Sequence, residues 1–194
     1  MAHTFIRLAA LSLAATSLAT LGACSKSSSD AAATAGSEAP SGTLAKAIAG
    51  APGLTTVAAT LKDSGLASVF DGNAPYTFLA PDDDAFGKLG DAAAALKTPE
   101  QRPQMVAILR SHIMPGFVTV KDIEAALDSA KGKPVSMPTM GDGKLTFARS
   151  GDHISVTSDD GTTGKIDGSP LVATNGVVIP VDTVLKKVPP KPAA

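Results

Sequence analysis

The sequence predicts an α+β domain with helices in its N-terminal part and antiparallel strands after them. Apolar residues recur at helical spacing in the first part of residues 43–188. From Val135 onward they instead fall in short runs of strand length, separated by dipeptides typical of β-hairpins. Helices followed by antiparallel strands, without a parallel β-α-β repeat, are typical of the α+β class.

The composition excludes several classes of function. The 194 residues include 17 Lys and Arg against 18 Asp and Glu, so no positive excess is present to displace counterions from nucleic acid. Six Phe, one Tyr and no Trp leave little for stacking on bases. The single cysteine excludes an internal disulfide and every metal site built from several cysteines. We therefore expect a small exported globular domain with no nucleic-acid partner.

Two short helices are predicted at the start of this domain. The segment 50–53 (GAPG) separates them, because Gly and Pro interrupt helices. Their apolar positions repeat every three or four residues and so lie on one face of each helix. These positions are Leu44, Ala47, Ile48, Leu54, Val57, Ala58 and Leu61.

A short strand is predicted at residues 76–80, after turn residues and directly before Pro81, which should end it. Three aspartates follow, and Asp82 is expected to begin a helix. A carboxylate in this position can cap free amides and match the positive end of the helix dipole. A cation site is the disfavoured alternative, because calcium loops place their oxygen ligands at alternate positions.

A longer helix is predicted around residues 105–112. Thr98 could cap it in a box closed by Gln101, or the regular helix could begin at Pro103. The dipeptide at residues 115–116 (PG) is expected to end it. Its apolar face consists of Met105, Ile108, Leu109 and His112.

The remaining elements are one more helix and a set of strands. Residues 119–122 resemble a capping box that opens a short helix, with Ile123, Ala126 and Leu127 facing inward. Strands are predicted at residues 145–147, 154–156 and 171–173. The hairpin dipeptides are Asp142-Gly143, Ser150-Gly151, Asp160-Gly161 and Asn175-Gly176.

The N-terminus has the features of an export signal. Residues 8–21 form an apolar run too short and too rich in Ala for a convincing transmembrane helix, which predicts a secretory signal peptide over residues 1–23. Residues 21–24 (LGAC) resemble a bacterial lipobox. That motif implies cleavage before Cys24 and acylation of the cysteine by chains such as palmitate. Two or three acyl chains would anchor the protein stably to a membrane.

The segments that flank the domain are expected to lack a core of their own. Residues 24–42 have no periodicity and no bulky apolar side chains, which predicts a disordered tether, and residues 189–194 form a Pro-rich tail. Ser25 follows the cysteine, and the sorting rule for Gram-negative lipoproteins reads a residue other than Asp there as outer-membrane sorting. We therefore expect a lipid-anchored outer-membrane protein that faces the periplasm or the cell surface.

The mature chain offers little chemistry for catalysis. His112 lies on an apolar helix face and is expected to be a hydrogen-bonded core residue, whereas His153 should lie at the surface or in a turn. No Gly-x-Ser-x-Gly segment supports a Ser-His-Asp triad. No Gly-rich loop followed by Lys and Ser or Thr supports phosphate binding. We expect no enzymatic activity, no cofactor and no metal site.

Three segments together resemble the fasciclin (FAS1) domain family. Residues 76–86 resemble its first signature block, a strand followed by Pro and an acidic helix start. Residues 111–116 resemble its central block, normally Tyr-His followed by apolar residues and Pro-Gly, and residues 173–185 resemble its second signature block. Their order and spacing fit that family over residues 43–188. The resemblance implies N-terminal helices packed on an antiparallel β-sheet or β-wedge.

These blocks supply the candidate interaction or structural residues. Asn175 and Gly176 form a turn before an apolar strand that can be buried on both faces. Asp182 is expected to accept hydrogen bonds from backbone amides. The full candidate set is Asp82, His112, Asn175, Gly176 and Asp182.

Two positions depart from the family pattern. Ser111 stands where the family has the Tyr of its Tyr-His pair, and Ile179 stands where a His is frequent. Some animal members are thought to engage integrins through the Tyr-His region and an Asp-Ile pair, which corresponds here to Pro170 and Leu171. Integrin-type recognition is therefore not expected.

The resemblance implies a membrane-anchored, non-enzymatic module that mediates adhesion to an unidentified protein or polysaccharide of a matrix or another cell. The alternative is a periplasmic protein that binds a hydrophobic small molecule such as a carotenoid. That alternative would require a continuous apolar groove.

Overall fold

The computed structural model describes residues 42–188, in which helices predominate up to Ser129 and strands follow, and this confirms the α+β class. A turn of 3-10 helix, Pro99–Gln101, precedes the sixth helix. The helices are α1 (Leu44–Ala49), α2 (Thr55–Asp63), α3 (Ala67–Phe70), α4 (Asp83–Gly87), α5 (Asp91–Leu96), α6 (Arg102–Ser111) and α7 (Val120–Ser129). The strands are β1 (Tyr76–Pro81), β2 (Ile113–Pro115), β3 (Val135–Pro138), β4 (Lys144–Ser150), β5 (His153–Ser158), β6 (Thr163–Lys165), β7 (Leu171–Ala173) and β8 (Gly176–Val181).

The strands form two four-stranded sheets. The second sheet has the order β3-β4-β5-β6 and is antiparallel throughout. The first has the order β2-β1-β8-β7, with β2 and β7 pairing antiparallel at its two edges. At its centre β1 and β8 run parallel, from Tyr76 opposite Gly176 to Pro81 opposite Val181.

This parallel pair is the one departure from the expected antiparallel pairing among the described strands, since all the other pairs are antiparallel. The hairpin signal at Asn175-Gly176 reports only how β8 pairs with β7, because both strands flank that turn. The other neighbour of β8 comes from far away in the sequence and leaves no local signal. The burial of β8 is nonetheless typical of a strand that is covered on both faces, since five of its six residues are buried.

The first sheet separates two apolar cores. Successive side chains of a strand point to opposite faces, so neighbouring residues of β1 and β8 contribute to different cores. Phe78 and Val178 pack with α1, α2, α3 and α6 on one face. Leu79 and Ile179 pack on the other face with α7 and the second sheet. The central pair is therefore covered on both sides.

Local sequence signals predicted several helix starts correctly. The Asp82 side chain accepts a hydrogen bond from the Ala85 amide (2.6 Å) at the start of α4. The capping box of α7 is also confirmed. Thr119 Oγ1 accepts from the Asp122 amide (3.2 Å), and Asp122 Oδ2 accepts from the Thr119 amide (2.8 Å). The break between α1 and α2 and the four hairpin turns lie where they were predicted.

The boundaries of α6 differ from a helix that is capped by Thr98 and ends at residues 115–116. The Thr98 side chain makes no capping hydrogen bond, and the regular helix begins at Arg102, close to the Pro103 alternative. The helix ends at Ser111 and does not continue to residues 115–116. Residues 113–115 instead form β2, whose backbone pairs with residues 76–78 of β1. This long-range pairing overrides the apolar helical pattern.

Other expectations lie outside the described residues. They concern the signal peptide, acylation of Cys24, the tether up to residue 41 and the Pro-rich tail. Among the helices described between residues 42 and 188, none is long and apolar enough to cross a lipid bilayer.

The close contact of Gly176 with β1 leads to a prediction about stability. A Cβ at this position would meet the Tyr76 carbonyl group and, at 3.1 Å, Leu44 Cδ1. Because a strand backbone in a sheet cannot move freely, we expect Gly176→Ala to lower the free energy of unfolding by about 3 kcal/mol. Urea denaturation measures this change.

The matched control is Gly87→Ala, since a Cβ there meets no atom within 4 Å. Gly87 is the last residue of α4, where Ala has the higher helix propensity, so we expect unchanged or slightly increased stability. Equal stability of the two variants would contradict the close approach of β8 to β1.

Candidate functional site

The candidate residues lie at three places around the β1–β8 pair. Asn175 and Gly176 lie at its start, opposite Tyr76. Asp82 and Asp182 follow the last paired residues of the two strands. The other candidate, His112, lies beside the pair where α6 meets β2. The structure therefore does not bring these residues together in one pocket.

Asn175 connects three segments through its side-chain amide. Its Oδ1 accepts from the Leu44 amide (2.7 Å) at the start of α1. Its Nδ2 donates to the Phe70 carbonyl (2.7 Å) at the end of α3 and to the Gly72 carbonyl (2.6 Å). The side chain is almost fully buried, with 7% of its residue surface exposed. Its hydrogen-bonding groups are thus used to hold the helices against the β7–β8 turn.

Asp182 and its neighbours hold the other end of the pair. Its Oδ1 accepts from the Lys165 amide (2.9 Å) and from Thr183 Oγ1 (2.9 Å), which agrees with the predicted role as an acceptor from backbone. Partial burial raises the pKa of this carboxyl, but these hydrogen bonds and the charges of Lys88 and Lys165 outweigh burial and lower it. Lys88 Nζ also donates to the Asp182 carbonyl (2.7 Å) and so connects α4 to this turn.

His112 is fully buried and makes a hydrogen bond through each ring nitrogen. The Leu185 amide can only donate, so Nε2 accepts its hydrogen bond (2.8 Å) and Nδ1 carries the proton. Nδ1 in turn lies 2.8 Å from the Ile108 carbonyl, to which it donates. Burial lowers the pKa of His112 to about 4, although the Ile108 hydrogen bond and the charge of Asp160 oppose the shift. The ring is therefore neutral at pH 7.

The neighbouring serine does not form a nucleophile-base pair with this histidine. Ser111 Oγ lies 3.4 Å from His112 Nδ1, but its hydrogen bond goes to the Ile108 carbonyl at 2.6 Å. Nδ1 carries a proton and Nε2 is occupied by a backbone amide, so neither nitrogen is available to accept the Ser111 proton. Both residues are buried. This arrangement holds the end of α6 and offers no general base.

Two aspartates have structural roles that sequence analysis missed. Asp83 caps α2 by accepting from the Thr55 amide (3.2 Å) and the Thr56 amide (2.7 Å). Partial burial raises the pKa of Asp83, and hydrogen bonds from Thr56 and Thr55 outweigh it and lower the pKa. No local signal predicts this cap, because donor and acceptor lie on different helices.

The second aspartate is Asp160, which the sequence identified only as part of a hairpin dipeptide. Its Oδ1 accepts from Ser158 Oγ (2.7 Å), the Thr162 amide (3.0 Å) and Thr162 Oγ1 (2.7 Å), and its Oδ2 from the Lys187 amide (2.8 Å). Burial raises its pKa, but these hydrogen bonds lower the pKa far below the usual range. The bonds within the turn are those of an Asx turn, so the Ser-x-Asp-x-Thr spacing was a usable signal.

The polar groups in the interior are satisfied. Within residues 42–188, every buried side-chain nitrogen or oxygen has a hydrogen-bond partner. In the same part of the chain, no group of three or more His, Cys, Asp or Glu side chains is placed to hold a metal ion. The polar side chains of the signature blocks thus contribute to the fold.

Comparison with known proteins supports the resemblance seen in the sequence. A family model described as the fasciclin domain matches residues 52–187. Protein sll1483 from Synechocystis sp. is 25% identical over 144 residues, which are 74% of this chain and 72% of that protein.

A solved structure also has this fold. It is described as a FAS1 domain pair from the insect cell adhesion molecule fasciclin I, and it matches with a TM-score of 0.65 at 18% identity. The match covers 76% of this chain and 52% of that chain, so this chain spans about half of the domain pair.

The neutral state of His112 leads to a prediction about pH. Its pKa in the folded protein, about 4, lies below the value of 6.5 expected when unfolded. The unfolded chain therefore binds more protons between these values. The free energy of unfolding should fall as the pH is lowered from 6.5 towards 4, by up to about 1.4 kcal/mol per pH unit. Above pH 6.5 this contribution is complete.

Urea denaturation over pH 4–7 measures this dependence in the wild type, His112→Gln and His153→Gln. His112→Gln should flatten the pH dependence, because it removes the histidine with the lowered pKa, and His153→Gln is the control that replaces an exposed histidine. The assignment would be wrong if His112→Gln kept the wild-type slope.

Proposed function

Since this chain belongs to the fasciclin domain family, we propose that it is an adhesion module held on a bacterial membrane by lipid at Cys24. Fasciclin domains are generally non-enzymatic modules of the adhesion type. The partner in this proposal is a protein or a polysaccharide of a matrix or another cell. The protein acts by binding, and no bond is made or broken.

The proposal is based mainly on the observation that the polar side chains of the signature blocks form hydrogen bonds within the fold. His112, Asn175 and Asp182 each bond to backbone groups of segments distant in sequence. Side chains engaged in this way are not available to bind and activate a substrate. Binding at the outer surface is the function that this arrangement favours.

The proposal of a lipid anchor is based on the N-terminal sequence. Cys24 is the only cysteine of the chain, and it follows the apolar segment at the position that a lipobox requires. The composition of residues 25–42 predicts a flexible tether with an average reach of about 20–25 Å. The domain would therefore act close to its membrane, and adhesion to another cell requires exposure on the outer face.

The rival function is binding of a carotenoid or a similar hydrophobic molecule. Two apolar depressions of the described domain have volumes of about 220 and 480 Å³ and are lined by different residues. A long polyene requires one continuous groove, so we favour adhesion. A visible absorption band that co-purifies with the protein from its native host would favour the rival.

A deletion strain complemented with the wild type, Cys24→Ala or Ser28→Ala tests the proposal. We expect the wild type and Ser28→Ala in the membrane fraction and Cys24→Ala in the soluble fraction, because only Cys24→Ala loses the acylated thiol. Attachment to surfaces and biofilm formation should fall in the deletion strain. They should recover with the wild type and Ser28→Ala but not with Cys24→Ala.

The proposal has two parts, and each would be contradicted by a different result. Cys24→Ala that remains in the membrane fraction would refute the lipid anchor. Attachment of the deletion strain at the wild-type level would refute adhesion. Protease treatment of intact cells then determines which face of the membrane carries the domain.

A further inference from the structure

Two depressions of the surface adjoin at Arg110. We call the first the charged cleft; it has a volume of about 330 Å³ and lies between α6 and the β3–β4 turn. We call the second the apolar recess; it has a volume of about 220 Å³ and lies between α3 and α6. Both depressions are lined by Val106, Arg110 and Met140. The apolar recess is otherwise formed by Leu66, Val69, Phe70 and Ile113.

Backbone hydrogen bonds hold the wall that the two depressions share. The Gly141 amide donates to the Arg110 carbonyl (3.0 Å), and the Met140 amide donates to the Ile113 carbonyl (2.7 Å). The β3–β4 turn is thereby fastened to the end of α6 and the start of β2. Arg110 Nε donates to the Met140 carbonyl (3.2 Å), which positions the guanidinium at the boundary. Hydrogen bonds of the fold itself therefore hold the wall between the charged cleft and the apolar recess.

The charges of the cleft leave one positive charge in excess. Three cationic side chains and two carboxylates line it. The Lys186 ammonium lies 3.7 Å from a carboxylate oxygen of Asp159 and 3.7 Å from one of Asp160, and these two carboxylates compensate its charge. Among residues 42–188, neither the terminal guanidinium nitrogens of Arg110 nor the Lys144 ammonium makes a hydrogen bond or an ion pair. With Asp142 also facing the cleft, a ligand with a single negative charge is matched better than a dianion.

We propose that the charged cleft and the apolar recess form one binding site for a single-chain amphiphile that ends in a carboxylate. The carboxylate binds the guanidinium of Arg110, whose donors match a carboxylate in a bidentate geometry. The hydrocarbon chain lies in the apolar recess beside Val69 and Ile113. Together the two volumes fall within the range of about 300–1,000 Å³ that small-molecule sites occupy. This site is independent of the proposed role in adhesion.

Titration calorimetry with defined probes tests both halves of the site. Sodium butyrate, hexanoate and octanoate share the head group and differ in chain length. We expect affinity to rise about fourfold for each added methylene, because the chain enters an apolar pocket. We expect 1-octanol and octyltrimethylammonium to bind at least about tenfold more weakly than octanoate. The hydroxyl of 1-octanol is an uncharged acceptor that cannot form the bidentate pair, and octyltrimethylammonium is a cation without an acceptor.

Variants locate the site on the full chain. Arg110 is exposed, so Arg110→Gln should fold normally, and it should weaken octanoate binding about tenfold. Val106→Asp places a negative charge on the shared wall and should abolish octanoate binding. Lys133→Gln is the matched control, since it removes one positive charge from an exposed position outside both depressions and should bind as the wild type.

Methyl NMR spectra provide the second readout. Octanoate should shift the methyl signals of Val69, Val106 and Ile113. The proposal is overturned if octanol or octyltrimethylammonium binds as tightly as octanoate, if Arg110→Gln binds octanoate as the wild type does, or if the shifted methyl groups lie elsewhere. Absence of octanoate binding to the wild type would overturn it as well.

Discussion

The parallel pairing of β1 with β8 joins two segments that lie far apart in the sequence, and the two cores form on its faces. Gly176 allows this approach, because a larger residue would collide with the Tyr76 carbonyl group. Asn175 then ties the same turn to α1 and α3 through its buried amide. Two consecutive residues thus determine how the helices and the strand pair meet.

The polar residues of the signature blocks also join segments that are distant in the sequence. A buried donor or acceptor without a partner costs about 1–3 kcal/mol, so each polar side chain in the core is matched to a backbone group. His112 is matched on both ring nitrogens, and Asp182 holds Lys165 of β6 beside the end of β8. These residues maintain the fold shared with other fasciclin domains.

Local signals predicted much of the fold, and distant contacts explain the remainder. The capping box at Thr119 and the hairpin dipeptides could be identified because donor, acceptor and turn lie within a few residues. The β1–β8 pair and the cap of α2 by Asp83 could not, since each joins segments that no sequence pattern brings together. Asn175 and Asp182 were found through the family resemblance and not through their contacts. The charged cleft was missed because its walls come from α6, the β3–β4 turn and the C-terminal segment.

Native-state hydrogen exchange tests most directly whether the signature residues hold the fold together. The informative amides are those of Leu44, Lys165 and Leu185, which donate to the side chains of Asn175, Asp182 and His112. We expect all three to exchange only through global unfolding, with the same opening free energy and denaturant dependence as the Val178 amide in β8. Exchange through local openings of much lower free energy would show that these side chains are readily released, and would contradict the structural role assigned to them.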